Sequence, residues 1–189
     1  MELALKLITW LWIFILVVWA IGAIRTKRSV RRQSLVSRLT HTGMAAMAIM
    51  VGFSRRFNFG WLTRPLLPTG PGAIYAGASL TVAGIAFAVW ARLILGRNWS
   101  GTVTVKQDHT LICRGPYTIV RHPIYTGLLL AGLGTALAYG QIRGLIAVAL
   151  FLLLFILKIR IEERFMREQF GDDYRIYQER VKALIPFVA

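Results

Sequence analysis

Apolar residues in this chain come in long unbroken runs, without the alternation of a half-buried strand. The runs occupy 3–24, 35–53, 73–95, 124–139 and 145–157. Crossing a bilayer as a helix takes about 20 predominantly apolar residues, and the first and third runs meet that length. His41, Thr42 and Gly43 interrupt the second, although 44–53 is apolar throughout. The third holds small residues (Ala76, Gly77, Ala78, Ser79, Ala83, Gly84) that let helices approach closely. Only 140–144 separates the last two, a gap that fits an antiparallel hairpin. Both are short for a full crossing and imply tilt or local thinning of the bilayer. The segment 98–119 is polar and alternates at Thr102, Val103, Thr104 and Val105, which reads as an ordered loop with a short extended piece. From 162 to 181 the pattern is helical and amphipathic, with Ile161, Phe165, Met166 and Phe170 at helical spacing and Glu163–Arg167 as an i,i+4 pair. Gly171 is placed to end that helix, Asp172 or Asp173 to cap another carrying Tyr174, Tyr177 and Val181, and Pro186 to stop it. The expectation is an all-α integral membrane protein of about five transmembrane helices. Its last two form a helical hairpin, and a cytoplasmic C-terminal amphipathic helical segment follows.

Composition supports a membrane setting. Hydrophobic residues make up 56% of the 189, above the roughly 45–50% of soluble domains. The net charge of +15 is of a size that often signals nucleic acid, but beside such runs it predicts anionic headgroups as partners and no nucleic acid. Basic links follow the first and third runs and the last, whereas Arg143 stands alone in the hairpin turn. That alternation predicts five spans with a cytoplasmic tail and the N-terminus outside. Cys113 is the single cysteine, so no internal disulfide and no Cys-based metal site is expected. His41, His109 and His122 show no ligand spacing, and no metal is expected. No glycine-rich nucleotide loop of the GxGxxG or P-loop type is present.

Two constellations carry candidate chemistry. The stretch GPYTIVRHPIYTG, 115–127, leads into the fourth run. Pro123 suits the first turn of a helix, where its missing N–H is not needed. A helix start carries partial positive charge and free N–H donors, and Arg121 adds a planar guanidinium. Together they predict an anion site at the membrane boundary, with His122 at the cap. Tyr117, Tyr125 and Gly127 add aromatic faces and a small residue where a ligand could come close. The second constellation is the pair Glu162–Glu163 after the fifth run. Paired carboxylates beside lipid are costly and mark function. A hairpin returns them to the face where the fourth helix begins. The two corners then suit a ligand bearing both charges, with Tyr117, Tyr125, Tyr174 and Tyr177 offering cation–π contacts. Plain alternatives stand beside this: Arg121 and His122 as lipid-phosphate anchors, and Glu162–Glu163 as a solvated helix turn.

These residues resemble a known family. GPYTIVRHPIYTG followed by IEERFMREQFGDDYRIYQERV is similar to the integral-membrane methyltransferases of the isoprenylcysteine carboxyl methyltransferase and phospholipid N-methyltransferase type. LGRNWSG, 95–101, is similar to the segment before it. The resemblance covers the C-terminal half, and integral-membrane sterol reductases share part of it. It implies a single membrane domain, 1–189, of N-terminal spans (1–95) and a cofactor-binding half (96–189). It implies S-adenosylmethionine as cofactor, whose carboxylate, amine and sulfonium match a two-signed pocket. Tyr117, Arg121, His122, Pro123, Tyr125, Gly127, Glu162, Glu163, Tyr174 and Tyr177 would line that site. Arg121 would act in catalysis by orienting a carboxylate acceptor, or Glu162 or Glu163 by taking a proton from an amine. The acceptor would be a lipid or lipophilic small molecule entering from the bilayer. A nicotinamide-dependent reductase and a non-catalytic membrane assembly protein are the rival expectations.

Overall fold

In the computed structural model, which describes residues 1–24, 29–32, 35–53, 60–65, 70–98, 104–106 and 110–186, each apolar run is a helix. They are α1 (Glu2–Ile24), α2 (Leu35–Phe53), α3 (Pro71–Leu95), α4 (Pro123–Tyr139) and α5 (Ile142–Phe170), followed by α6 (Asp172–Arg180). Three are long and apolar enough to cross a membrane: α1 over Glu2–Gly22, α3 and α5. The apolar parts of α2 and α4 are shorter. The expected extended piece also forms, so the chain is not purely helical. Strand β1 (Ser29–Arg32) pairs antiparallel with β2 (Thr104–Lys106), Arg32 opposite Thr104, which ties the link after α1 to the link after α3. Arg25, Lys27, Arg28, Arg55, Arg56, His109 and residues 99–103, on which parts of the charge and loop readings rest, lie outside the described residues.

The most extensive helix contact is a seam of small residues between α3 and α4. A Cβ on Gly77 would stand 2.5 Å from the Gly134 carbonyl oxygen. One on Gly127 would stand 2.6 Å from the Gly84 oxygen and 2.7 Å from the Ala88 nitrogen. Each helix thus offers glycine at both ends of a two-turn interval, and the backbones touch there. Thr81 and Thr135 sit on the same seam with hydroxyls 3.3 Å apart, and the Trp12 indole donates to Thr135 at 3.0 Å. Interhelical hydrogen bonds of this kind satisfy polar groups that lipid cannot. α1 runs parallel to α3: Ile8 packs with Ile74 and Ala78, and Ile15 with Ile85 and Ala88. α5 returns antiparallel to α4 after a turn in which Gly140 takes φ 63°, a left-handed conformation that favours glycine.

α5 is longer than its apolar run. It continues unbroken through Glu162 and Glu163 to Phe170, so the carboxylates stand within a helix and do not follow one. Gly171, at φ 54°, breaks the axis and turns the chain into α6. Gly171 itself occupies the cap position, while the Asp172 carboxylate accepts from Arg175 at 3.1 Å. α6 ends at Arg180, before Pro186, because Val181 is already extended. From there the chain runs as a strap, 181–186, along the entrance of α4.

A clasped polar corner at the entrance of α4

The approach to α4 is a tight turn, Gly115–Thr118, that buries Pro116 and Tyr117. His122 stands at the cap and Pro123 in the first turn, as Pro geometry requires. Two N–H groups at the approach to this helix are already used. Arg121 N–H donates to the Lys182 carbonyl at 2.8 Å and His122 N–H to Ala183 at 3.0 Å. The Thr126 hydroxyl donates to Leu184 O at 2.7 Å. The strap therefore occupies part of the donor set that the sequence offered to an anion.

Arg121 is engaged in the same way. Its Nε donates to Glu163 Oε1 at 2.8 Å, and Nη2 lies 2.7 Å from the same oxygen. Nη1 donates to the carbonyls of Gln178, at 3.2 Å, and Val181. Every guanidinium nitrogen thus has a protein acceptor, and the fork ties α4, α5, α6 and the strap together. The two corners do meet, as the hairpin predicted, but Arg121 and Glu163 satisfy each other. They do not stand open to a ligand. Glu163, 11% exposed in its side chain, also accepts from Gln178 Nε2 at 2.8 Å and lies 3.2 Å from His122 Nε2 and 3.8 Å from Arg167 Nη1.

Glu162 differs. Its side chain is 22% exposed, it accepts from the Tyr125 hydroxyl at 2.7 Å, and its second oxygen lies 3.6 Å from His122 Nδ1. One oxygen therefore keeps acceptor capacity. Tyr125 stacks on Phe155 with ring centroids 4.5 Å apart and lies nearly parallel to the His122 ring at 5.7 Å. The Lys158 ammonium sits 5.4 Å from the Tyr125 ring centroid.

The remaining sequence-derived residues divide into supports and packing. Tyr177 donates its hydroxyl to the Tyr117 carbonyl at 2.6 Å, and Tyr117 points its own toward Ala91 O at 3.5 Å. Tyr174 packs edge-on to Tyr177, with centroids 6.0 Å apart. Burial first, then Tyr177 and Glu162, pushes the Tyr117 phenol above its ordinary range, and burial followed by Glu163 does the same for Tyr174. Tyr177 is pushed up by burial first and by Cys113 and Glu163 after it. All three hydroxyls therefore remain protonated donors. Gly127 faces α3, where the Gly84 and Ala88 backbone fills its missing Cβ; it packs helices and leaves no room for a ligand. Pro123 is buried at the helix start. Gln178, Lys158, Thr126 and the strap were not singled out from the sequence. The only sequence signal was spacing: Gln178 lies one turn after Tyr174, and Lys158 one turn before Glu162.

Known proteins resemble this chain over much of its length. The family model described as "Phospholipid methyltransferase" matches residues 73–173, more than half of the 189. The "Probable protein-S-isoprenylcysteine O-methyltransferase" of Oryza sativa subsp. indica is 31% identical over 117 residues, covering 60% of this chain and 61% of the relative. The "Protein-S-isoprenylcysteine O-methyltransferase" of Schizosaccharomyces pombe is 34% identical over 96 residues, covering 49% of this chain and 41% of the relative. The chain thus spans between two fifths and about three fifths of the length of these relatives. A solved structure of the eukaryotic intramembrane Ras methyltransferase ICMT superposes with a TM-score of 0.56 at 23% identity, covering 84% of this chain and 55% of that one, which is a likeness of fold.

Proposed function

The chain belongs to the phospholipid methyltransferase family, and from that premise we propose that it is an S-adenosylmethionine-dependent methyltransferase acting on a lipid-borne acceptor. One observation carries the reading. The polar corner is built by the start of α4 and the acidic end of α5, within the residues the family model matches apart from the α6 and strap contacts. The donor set fits the cofactor. Glu162 keeps an oxygen able to accept from an amine or from ribose hydroxyls, and Tyr125, Phe155 and His122 offer flat faces beside it. When bound, S-adenosylmethionine supplies a methyl group on a sulfonium, which an acceptor lone pair displaces to leave a neutral thioether.

The chain's own residues take distinct parts. Glu162 holds the cofactor's cationic end. His122, between both carboxylates, fixes their spacing. Arg121 and Glu163 form the clasp that keeps the strap and α6 against α4. Tyr117, Tyr174 and Tyr177 close the corner from below with neutral hydroxyls. Their burial withholds water from the reacting groups, which favours a displacement that disperses charge. Most of the acceleration then comes from holding acceptor and methyl in line, a contribution of about 7–11 kcal/mol in well-oriented systems. In this reading five helices cross the membrane and 1–189 is one membrane domain. The corner faces the cytoplasm, where the cofactor is found.

The test uses the full chain in lipid nanodiscs. Saturable binding of S-adenosylhomocysteine, with label passing from S-adenosylmethionine to lipids identified by mass spectrometry, is the expected result. Binding of a nicotinamide dinucleotide in its place would move the protein to the reductase class. Failure to bind either would leave an assembly protein.

A further inference from the structure

We propose that the end of the helix bundle opposite the polar corner holds one phospholipid with a net anionic headgroup, its acyl chain in a groove beside the hairpin turn and its phosphate on Arg143 and Arg64. The groove has a volume of about 260 Å³ and lies between Leu80 of α3, Leu133, Ala136 and Leu137 of α4, and Leu145 of α5, with Gln141 in the turn. Leu133 and Leu145 are 42% and 40% exposed, so the groove opens sideways to the surroundings of the bundle. It is separate from the polar corner, because Leu137 stands roughly 18 Å along α4 from Tyr125 at about 1.5 Å per residue.

Charge, depth and size name the occupant. The Arg143 Nε donates to Gln141 Oε1 at 2.6 Å, which places the guanidinium beside a residue that lines the groove. Among the described residues its Nη1 and Nη2 have no acceptor, and they form the planar fork that suits a phosphate. The turn 60–65 is fastened to the same place: Arg143 N–H donates to the Leu62 carbonyl at 3.1 Å, and Pro65 bridges Gln141. Arg64, exposed between those two ties, is a second cation at the hairpin. Glu2 is the one acid described at this end, and it is paired with Lys6 at 2.7 Å. The two arginines therefore lack a protein counter-charge among the described residues, and a headgroup of net negative charge supplies it. Trp61, Tyr75 and Tyr139 are exposed at this same end. Such aromatic rings mark the headgroup level of a bilayer, so the arginines lie at phosphate depth and the groove leads from them into the hydrocarbon. The groove is smaller than the roughly 300–1,000 Å³ of sites that take compact small molecules, and it suits part of one flexible chain. A chain seated there touches α3, α4 and α5 at once and holds the hairpin against the α3–α4 seam.

The full chain, purified in detergent and freed of lipid, is titrated with phosphatidylglycerol or phosphatidylcholine, and bound lipid is counted by native mass spectrometry. The wild type is expected to retain one phosphatidylglycerol and to unfold at a higher temperature with it than without it. Arg64→Gln combined with Arg143→Gln should weaken that binding at least about tenfold, through loss of charge-assisted contacts. Leu133→Trp, which places an indole across the groove, should weaken it as well by excluding the chain. Both proteins should match the wild-type circular dichroism before lipid is added. Arg160→Gln removes an exposed arginine from the other end of α5 and should bind as the wild type does. Undiminished phosphatidylglycerol binding in the double arginine variant overturns the headgroup site. An equal loss in Arg160→Gln overturns it too, since a diffuse attraction of a basic protein for anionic lipid would then suffice. Phosphatidylcholine retained as tightly as phosphatidylglycerol refutes the charge selection, and unchanged binding in Leu133→Trp refutes the groove.

Discussion

Glu162 and Glu163 are adjacent in sequence yet hold opposite positions in the corner, and their variants should separate. Glu163 is nearly buried and neutralises Arg121 at 2.7–2.8 Å. Glu163→Gln leaves the guanidinium without its counter-charge in a low-dielectric setting. Breaking such a buried pair costs roughly 3–5 kcal/mol, so the thermal unfolding midpoint in detergent should fall clearly. Glu162→Gln keeps a hydrogen bond to the Tyr125 hydroxyl at a more open position. It should unfold near the wild-type temperature and lose affinity for S-adenosylhomocysteine by about tenfold or more. If the two variants exchange these phenotypes, the division of labour is wrong. The sequence disclosed the acidic pair and the Arg-His-Pro entrance, but not which carboxylate was spent. That depends on the Gln178 and Val181 carbonyls, 57 and 60 residues from Arg121, and backbone acceptors carry no residue signature. The same blindness made the α4 entrance look like an open anion site.

Among elements, the α3–α4 seam sets the position of everything at the corner, since Arg121–Tyr125 ride on the first turn of α4. Gly127 meets the Gly84 oxygen and the Ala88 nitrogen at distances no Cβ tolerates. Backbone atoms cannot step aside as a flexible side chain can. Gly127→Ala should therefore pry the helices apart at this level and cost about 1–3 kcal/mol by overpacking. S-adenosylhomocysteine binding should weaken with it, because the shift occurs one turn from Pro123. Gly72→Ala is the control: it sits in the first turn of α3 with nothing within 4 Å of a built Cβ, and its unfolding midpoint should match or exceed the wild type. Equal stability of both variants would show that the seam is looser than its geometry implies. The small residues of the third run were visible in the sequence as a close-packing face. The partner face was not, because Gly127 had the alternative use of making room for a ligand, and only the helix pairing decides between the two. Helix boundaries were legible wherever Pro or Gly punctuates them, at Pro123 and Gly171. The continuity of α5 was not, since Glu162 and Glu163 suggested a break after the apolar run while good helix formers carry one helix on to Phe170.

At the scale of the molecule, five apolar runs and a short turn were enough to specify five helices and the hairpin. They also brought the α4 entrance and the end of α5 to one end. What those runs could not specify is how that end is closed. Residues beyond α6 bury Leu184 and pair through their backbone: Lys182 and Ala183 accept from the α4 entrance, Leu184 from Thr126, and Val181 from Arg121. The strap thus links the last residues described to the α4 entrance, and α6 is held in place from both ends, by Gly171 and by the strap. Deleting 182–189 removes the Lys182, Ala183 and Leu184 acceptors, keeps Val181, and leaves α1–α5 and the α3–α4 seam intact. The helical circular dichroism of such a truncated protein should remain close to that of the full chain. Its α4 entrance should become a set of free N–H donors beside a loosened Arg121, and α6 should detach with Tyr174 and Tyr177. S-adenosylhomocysteine affinity should then drop by more than about tenfold. Hydrogen exchange should rise at 119–126 and 172–181 and stay low along α3. Exchange that rises along α3 as well would mean the strap stabilises the whole bundle. Unaltered affinity and exchange would mean that the clasp forms without it and that Arg121 finds its acceptors on α5 and α6 alone.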